Sequence, residues 1–400
     1  MFSERTNWKL TRNRLTEALE SLRASGAKIP DLTVSNPTRA GLRYDETAIL
    51  GSLSSPHAID YDPQPRGLRQ AREAVAAYYR DGKSPVCGFD AEQLVLTTST
   101  SEGYSYLFRL LCNPGDELLV PMPSYPLFEF LADLEDVKLV PYALLYDHGW
   151  QMDFPSLEKV VTPRTRGVVV VHPNNPTGSY VQPRELNLLN TFCREHGSGK
   201  AGSGEQGLAL IVDEVFLDYA HDGQPRRSFA ANQDVLTFTL SGLSKVSALP
   251  QMKVAWIAVS GPVAETAPAL ARLEVIADTY LSMNAPLQWA TPVLLAQRKS
   301  LQTQLLDRVR GNLAELDRQL AAQKTCERLA VEGGWYAVLR VPVTRSDEDL
   351  AVDLLEKKAV LVHPGHFYDF PRDGYLVLSL IAPPAEFSEG VARVLELLNH

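Results

Sequence analysis

The chain has few cysteines, no excess of positive charge and no long apolar run, and each shortage narrows what it can be. Four cysteines, Cys87, Cys112, Cys193 and Cys326, are scattered over 400 residues. With no CxxC pair, they read as free thiols in a reducing compartment, not as a disulfide or zinc framework. Basic residues number 39 against 48 acidic ones, for a formal net charge of −9. No basic patch stands out, so nucleic acid and anionic membranes are poor partners. No stretch approaches the ~18 apolar residues of a membrane span. The opening MFSERTNWKLTRNRL has no apolar core of signal-peptide length. These absences predict a cytoplasmic protein with neither membrane nor nucleic-acid partners.

What is present is ordinary in bulk: 45% hydrophobic and 22% charged residues. The chain is longer than one hydrophobic core usually serves, so two domains are expected. No internal repeat is found, and the one low-complexity patch, EHGSGKAGSGEQG (195–207), reads as a flexible loop. Residues 4–24 have helical periodicity, 25–65 are rich in turn residues, and RGLRQAREAVAAYYRDG (66–82) reads as a helix ending at Gly82. Strands and helices then alternate. QLVLTT, ELLVP, VKLVPY, RGVVVVHP, LALIVDE, DVLTFTLS and KVAWIAV read as strands, and SEGYSYLFRLL, PSYPLFEFLADL and PRELNLLNTFCREH as helices. Runs such as GVVVV are apolar at consecutive positions, the mark of strands buried on both faces of a mostly parallel α/β sheet. One long helix is expected over about 285–325. The last hundred residues mix short strands and helices, as a smaller α+β domain would.

In such a sheet, ligands gather beyond the carboxyl ends of the strands. After QLVLT come Thr98 to Glu102, opening a helix, and after GVVVV comes the run His172-Pro173-Asn174-Asn175-Pro176-Thr177-Gly178. After LALIV come Asp213 and Glu214, and after VLTFTL comes Ser241-Gly242-Leu243-Ser244-Lys245. Hydroxyls at a helix N-terminus suit a phosphate. A carboxylate at a strand end can hold a cationic ring nitrogen, and a lysine there can form a Schiff base. Together these are the protein's share of pyridoxal 5′-phosphate (PLP) chemistry.

Over nearly its whole length the chain resembles the class I/II aminotransferases of PLP fold type I, the aspartate aminotransferase-like enzymes. The resemblance is carried by YDPQPRGLRQARE, PGDELLVPMPSYPLF, HPNNPTG, IVDEVF, SGLSK and LPQMKVAW, in that order. It implies a large PLP-binding domain at 46–295, with a mostly parallel central sheet flanked by helices. The small α+β domain would combine 1–45 with 296–400. It implies Lys245 as the catalytic Schiff-base lysine and proton shuttle, and Asp213 as the partner of the ring nitrogen. Asn175 would donate to the ring's O3′, and Tyr125 would stack on the ring. Ser99, Thr100 and Ser101 would hold the phosphate with Ser244 and Lys253, the last standing where the family has an arginine. Tyr61 would reach the phosphate in the other subunit of a homodimer, and Asn284 would line the neighbouring site. The partners implied are an amino acid and a 2-oxo acid, exchanged by a ping-pong mechanism.

Two further departures matter. Phe216 stands where the family has a tyrosine, which removes a donor to O3′ and predicts a raised pKa for the Schiff base. Val377 stands where an arginine usually forks the substrate's α-carboxylate. The segment SNPTRAGLRYD then becomes a candidate substrate-binding stretch, through Ser35, Asn36 and above all Arg39, with Arg43, Arg340 and Arg372 as further cations. His172, His363 and His366 read as polar wall. An alternative on the same scaffold is a PLP-dependent lyase or decarboxylase. A non-catalytic PLP-binding protein fits less well, because Lys245, Asp213 and Asn175 are all retained.

Overall fold

The apolar runs become strands of one eight-stranded sheet in the computed structural model, which describes residues 2–81, 85–125, 128–196, 207–281 and 283–399. The strands are β1 (Leu94–Thr97), β2 (Glu117–Met122), β3 (Lys138–Tyr146), β4 (Trp150–Met152), β5 (Thr165–Val171), β6 (Ala209–Asp213), β7 (Thr237–Gly242) and β8 (Ala255–Ser260). Their order is β1-β8-β7-β6-β5-β2-β3-β4. β3, β2, β5, β6 and β7 run parallel. β8 runs antiparallel to both β7 and β1, so those two point the same way. Every residue of β1, β7 and β8 is buried. Helices cover both faces, as a mostly parallel sheet requires. Thr100–Leu111 and Val263–Thr279 pack over one apolar layer, and Pro183–Glu195 over another.

A second, antiparallel sheet follows from β9 (Glu327–Arg328), β10 (Tyr336–Arg340), β11 (His363–Pro364) and β12 (Tyr375–Ser379), in the order β11-β12-β10-β9. Its core takes in Leu15 and Leu32 from the N-terminal part of the chain. That segment is stitched on by backbone bonds: Leu32 N to Leu361 O at 2.9 Å, and Ser379 N to Leu32 O at 2.7 Å.

Several boundaries differ from the sequence reading, each for a local reason. The expected helix over 285–325 is two, Ala285–Ala296 and Arg298–Leu320, meeting at Gln297. The Arg298 guanidinium donates to Leu295 O at 3.0 Å at the junction. The second helix stops short of 325 because the Gln323 side chain bonds Leu320 O, Cys326 O and the Thr325 and Cys326 amides. Near the N-terminus the α-helix begins only at Arg14, where Asn13 Oδ1 accepts from Thr16 N at 2.8 Å and caps it. The turn-rich stretch 25–65 contains a short helix, Glu46–Ser52, capped by Asp45. Gly82, Pro126 and Leu127, and 197–206 of the low-complexity patch, lie outside the described residues.

Candidate active site

The register brings the polar strand ends together. Ala255 of β8 pairs with Thr97 of β1 on one side and Gly242 of β7 on the other. The hydroxyl run after β1, the SGLSK turn and the Lys253 segment therefore lie side by side. Gly242 is required at this close approach, since a Cβ there would stand 2.9 Å from both Ala255 Cβ and Val254 O.

Ser99 caps the helix Thr100–Leu111, its Oγ accepting from Glu102 N at 3.1 Å. Glu102 reaches back and accepts from Thr98 N at 2.6 Å, which sets the loop against the helix end. Ser99 Oγ acts there as an acceptor, so its own proton stays free to donate. Thr100 and Ser101 occupy the first turn, part-buried at a positive helix end suited to an anion.

After β5 the two asparagines divide the work. Asn174 Nδ2 donates to Pro123 O at 3.1 Å and Thr177 Oγ1 at 3.0 Å, and its Oδ1 accepts from Ser124 Oγ at 3.3 Å. It ties the turn to the loop that carries Tyr125. Asn175 is only 8% exposed, yet its Oδ1 has no partner among the described residues. A buried polar atom left open is costly unless a ligand completes it. His172 is fully used: Val181 N donates to Nδ1 at 3.1 Å, and Nε2 meets Arg227 O at 3.2 Å. Burial pushes its pKa down to about 4, so it stays neutral and structural.

Asp213 ends β6. Its Oδ1 accepts from Val215 N at 3.0 Å and its Oδ2 from the Tyr104 hydroxyl at 3.2 Å. Burial raises its pKa to about 6, against the pull of those two donors and of the Lys245 charge. Lys245 lies on the short turn Leu243–Val246, its backbone carbonyl held by the Tyr219 hydroxyl at 2.6 Å. Its Nζ has no hydrogen-bond acceptor among the described residues, and sits over the rings of Trp335 and Phe216. Burial lowers its pKa to about 8, and Asp213 opposes that shift. Tyr125 is 43% exposed, next to a backbone bond from Ser124 N to Tyr368 O at 2.9 Å.

A family model for aminotransferase class I and II matches residues 57–382. The chain belongs to that family. Alanine aminotransferase of Mycobacterium bovis is 28% identical over 387 residues, 93% of this chain and 86% of the relative. Capreomycidine synthase of Streptomyces vinaceus is 29% identical over 393 residues, 97% of this chain and 92% of the relative. Among solved structures, alanine aminotransferase from Pyrococcus furiosus superposes with a TM-score of 0.88 at 21% identity, covering 100% of each chain. The fold is that of the fold type I enzymes, and the family makes the chain an aminotransferase. These matches favour transamination over the lyase or decarboxylase alternative.

The remaining candidates sit at the rim of this aminotransferase's site or away from it. Ser244 is part-buried and Lys253 exposed. Tyr61 is 78% exposed. Asn284 caps the helix Ala285–Ala296, accepting from Leu287 N at 3.2 Å. Val377 is 0% exposed in β12, opposite Val338 and His363. Arg340 is paired with Glu327 at 3.1 Å, and Arg372 reaches Tyr375 Oη at 3.4 Å. His363 is bonded to the Tyr368 hydroxyl at 3.0 Å, and burial holds its pKa near 4. The segment Ser35-Asn36-Pro37-Thr38-Arg39, exposed except at the buried Pro37, follows Val34, whose carbonyl accepts from Ser379 Oγ at 2.5 Å. Ser379 and Val377 share one face of β12, so this segment leaves from the face that Val377 presents. Asn36 is used up locally, accepting from Thr38 N and Oγ1. The Arg39 side chain has no partner among the described residues. No helix among those residues is long and apolar enough to cross a membrane, and no group of side chains there could hold a metal ion.

Sequence reasoning missed Tyr104 and Trp335, and placed Asn174 and Glu214 at strand ends without giving either a role. HPNNPTG shows two asparagines without saying which is free. Trp335 and Tyr104 carry no local motif, and their relation to Lys245 and Asp213 exists only across the fold.

Proposed function

We propose that this aminotransferase works with PLP, moving an amino group between an amino acid and a 2-oxo acid in two half-reactions. The observation that carries the reading is a buried lysine amine with no acceptor among the described residues, beside a strand-end carboxylate and the buried Asn175, whose Oδ1 has no partner among them. The amine and the carboxylate fit the aldehyde and ring nitrogen of the cofactor, and the Asn175 amide would turn its Nδ2 to the phenolic oxygen. When bound, PLP supplies the electron sink that stabilises charge at the substrate Cα. Lys245 Nζ holds the cofactor and, once displaced, moves the proton at the substrate Cα. Asp213 keeps a proton on the ring nitrogen, and Asn175 orients the ring edge. Tyr125 covers one ring face. Ser99, Thr100, Ser101, Ser244 and Lys253 form the phosphate end, with Lys253 acting as a point charge in place of a fork. Arg39 supplies the positive charge absent at Val377, and Ser35 and Asn36 shape its segment.

The named alanine aminotransferase relative makes alanine and pyruvate the first pair to test. The chain divides into a large unit at 46–295 and a small one from 1–45 and 296–400. Two copies pair through the exposed Leu50, Ile59 and Tyr61, which puts Tyr61 at its neighbour's phosphate.

The test is an absorbance spectrum of the PLP-loaded protein before and after single amino acids, with no 2-oxo acid present. A visible band that gives way to a pyridoxamine-like one identifies the donor. Release of ammonia or carbon dioxide with the band unchanged would replace transamination by lysis or decarboxylation. Absence of a band in folded protein would overturn the assignment of Lys245.

A further inference from the structure

We propose that Tyr104 is a positioning residue for Asp213: its hydroxyl fixes the carboxylate toward the cofactor's ring nitrogen and keeps it ionised. The inference rests on the PLP reading above.

Tyr104 is 3% exposed, one turn into the helix Thr100–Leu111. Its hydroxyl donates to Asp213 Oδ2 at 3.2 Å, while Val215 N donates to Oδ1 at 3.0 Å. One donor on each oxygen fixes the plane of the carboxylate, which a single bond would leave free to turn. The direction of the Tyr104 bond is settled by electrostatics. Burial and the Asp213 charge both raise the phenol pKa well above its usual value, so the tyrosine keeps its proton and donates it.

The helix is placed to allow this. Gly103 faces Leu240, and a Cβ there would stand 2.6 Å from Leu240 Cδ2. Leu240 is the register partner of Asp213 across β6 and β7. The missing side chain at 103 lets the helix lie close enough for the next residue to reach the carboxylate. The Tyr104 ring is then held edge-on by Phe128 at 5.1 Å, with Phe108 at 6.0 Å.

The charged and titratable groups that act on Asp213 are Tyr104 from this helix, Lys245 from the turn after β7, Tyr125 from its loop and the neighbouring Glu214. Lys245 and Tyr104 favour the carboxylate; burial opposes it. With the Tyr104 hydroxyl removed, burial gains ground and Asp213 holds a proton at higher pH. It then pairs less well with a protonated ring nitrogen.

The experiment uses Tyr104→Phe, which keeps the ring, and Ser105→Ala, which removes a hydroxyl that donates to Glu135 elsewhere on the same helix. PLP affinity of each apoprotein is measured by absorbance titration across pH, alongside steady-state kinetics. In the Tyr104→Phe protein the dissociation constant should rise about tenfold, as for loss of one bond to a charged group. The pH below which affinity falls away should move up by about one unit, and kcat should fall with KM within about twofold. Ser105→Ala should match wild type. A Tyr104→Phe protein with wild-type affinity at every pH overturns the proposal. Should that variant not fold, site-specific difluorotyrosine at 104 makes a stronger donor. It should move the same limb to lower pH, and an unmoved limb is equally fatal. If wild type itself shows no cofactor band, the PLP reading fails instead.

Discussion

Lys245 Nζ stands 4.8 Å from the centroid of the Trp335 ring and 5.5 Å from that of Phe216. The ring faces attract the ammonium weakly and accept no proper hydrogen bond, so burial dominates and the pKa falls from 10.5 to about 8. The neutral amine is the nucleophile. The rate of PLP uptake by the apoprotein should therefore climb roughly tenfold per pH unit and level off above about pH 8. Stopped-flow absorbance reads this directly. Trp335→Ala admits water and should move the break toward that of an ordinary lysine; an unmoved break would mean the indole does not shield the amine.

Glu214 follows Asp213 but serves the fold. Its two oxygens accept from Phe229 N at 2.6 Å and Ser228 Oγ at 2.7 Å, and burial still raises its pKa to about 8. Unfolded, it titrates near 4.5. Between these values the folded chain holds the extra proton, so its contribution to stability is present at low pH and is lost as pH rises toward 8. Glu214→Gln keeps an oxygen for Phe229 N and abolishes the titration. Urea unfolding of the apoprotein should show the glutamine variant gaining on wild type by about 1–3 kcal/mol between pH 5 and pH 9. Parallel stability curves for the two proteins would contradict this.

Arg39 lies on a segment anchored beside Val377, and its guanidinium has no partner among the described residues. Arg39→Ala should raise KM for the amino acid about tenfold or more, as for loss of a charge-assisted bond to a carboxylate. Arg318 offers the control, since it is exposed on the helix Arg298–Leu320 and paired with Glu315 at 2.7 Å. Equal KM values for Arg39→Ala and Arg318→Ala would remove Arg39 from the substrate site.

The N-terminal stretch is fastened over the helix Phe128–Leu134. Trp8 Nε1 donates to Asp133 at 2.8 Å, its ring meets Phe130 edge-on at 5.4 Å, and Arg5 pairs with Asp136. Trp8→Ala removes the ring contact and the bond together, roughly 1–2 kcal/mol of local hold. Limited trypsin digestion at Lys9 and Arg12 should then run about tenfold faster, with global unfolding unchanged. Digestion at the wild-type rate would show that the stretch is held elsewhere.

Much of the site was readable because local rules and chemistry agree there. Short runs of consecutive apolar residues rich in β-branched types, such as GVVVV and LALIV, read as strands buried on both faces, and such strands deliver whatever follows them to one edge of a parallel sheet. That logic led to Asp213, the Asn174-Asn175 pair, Lys245 and the hydroxyls of Ser99 to Ser101. It named no element over Val263–Thr279, a helix that accommodates Pro268 in its interior. It failed at 285–325, where side chains of Arg298 and Gln323 end helices whose periodicity continues.

By itself, the sequence determined the order of elements, the parallel sheet and which residues stand at its carboxyl edge, because period and propensity act within a few neighbours. Only the tertiary structure decided which of those residues are free to act. Asn174 is taken up by Pro123 and Ser124 while Asn175 is left open; Glu214 is bound while Asp213 faces Lys245; and Tyr104, 109 residues away in sequence, completes Asp213. Hydrogen bonding and burial depend on what packs alongside, and that is fixed by partners far along the chain.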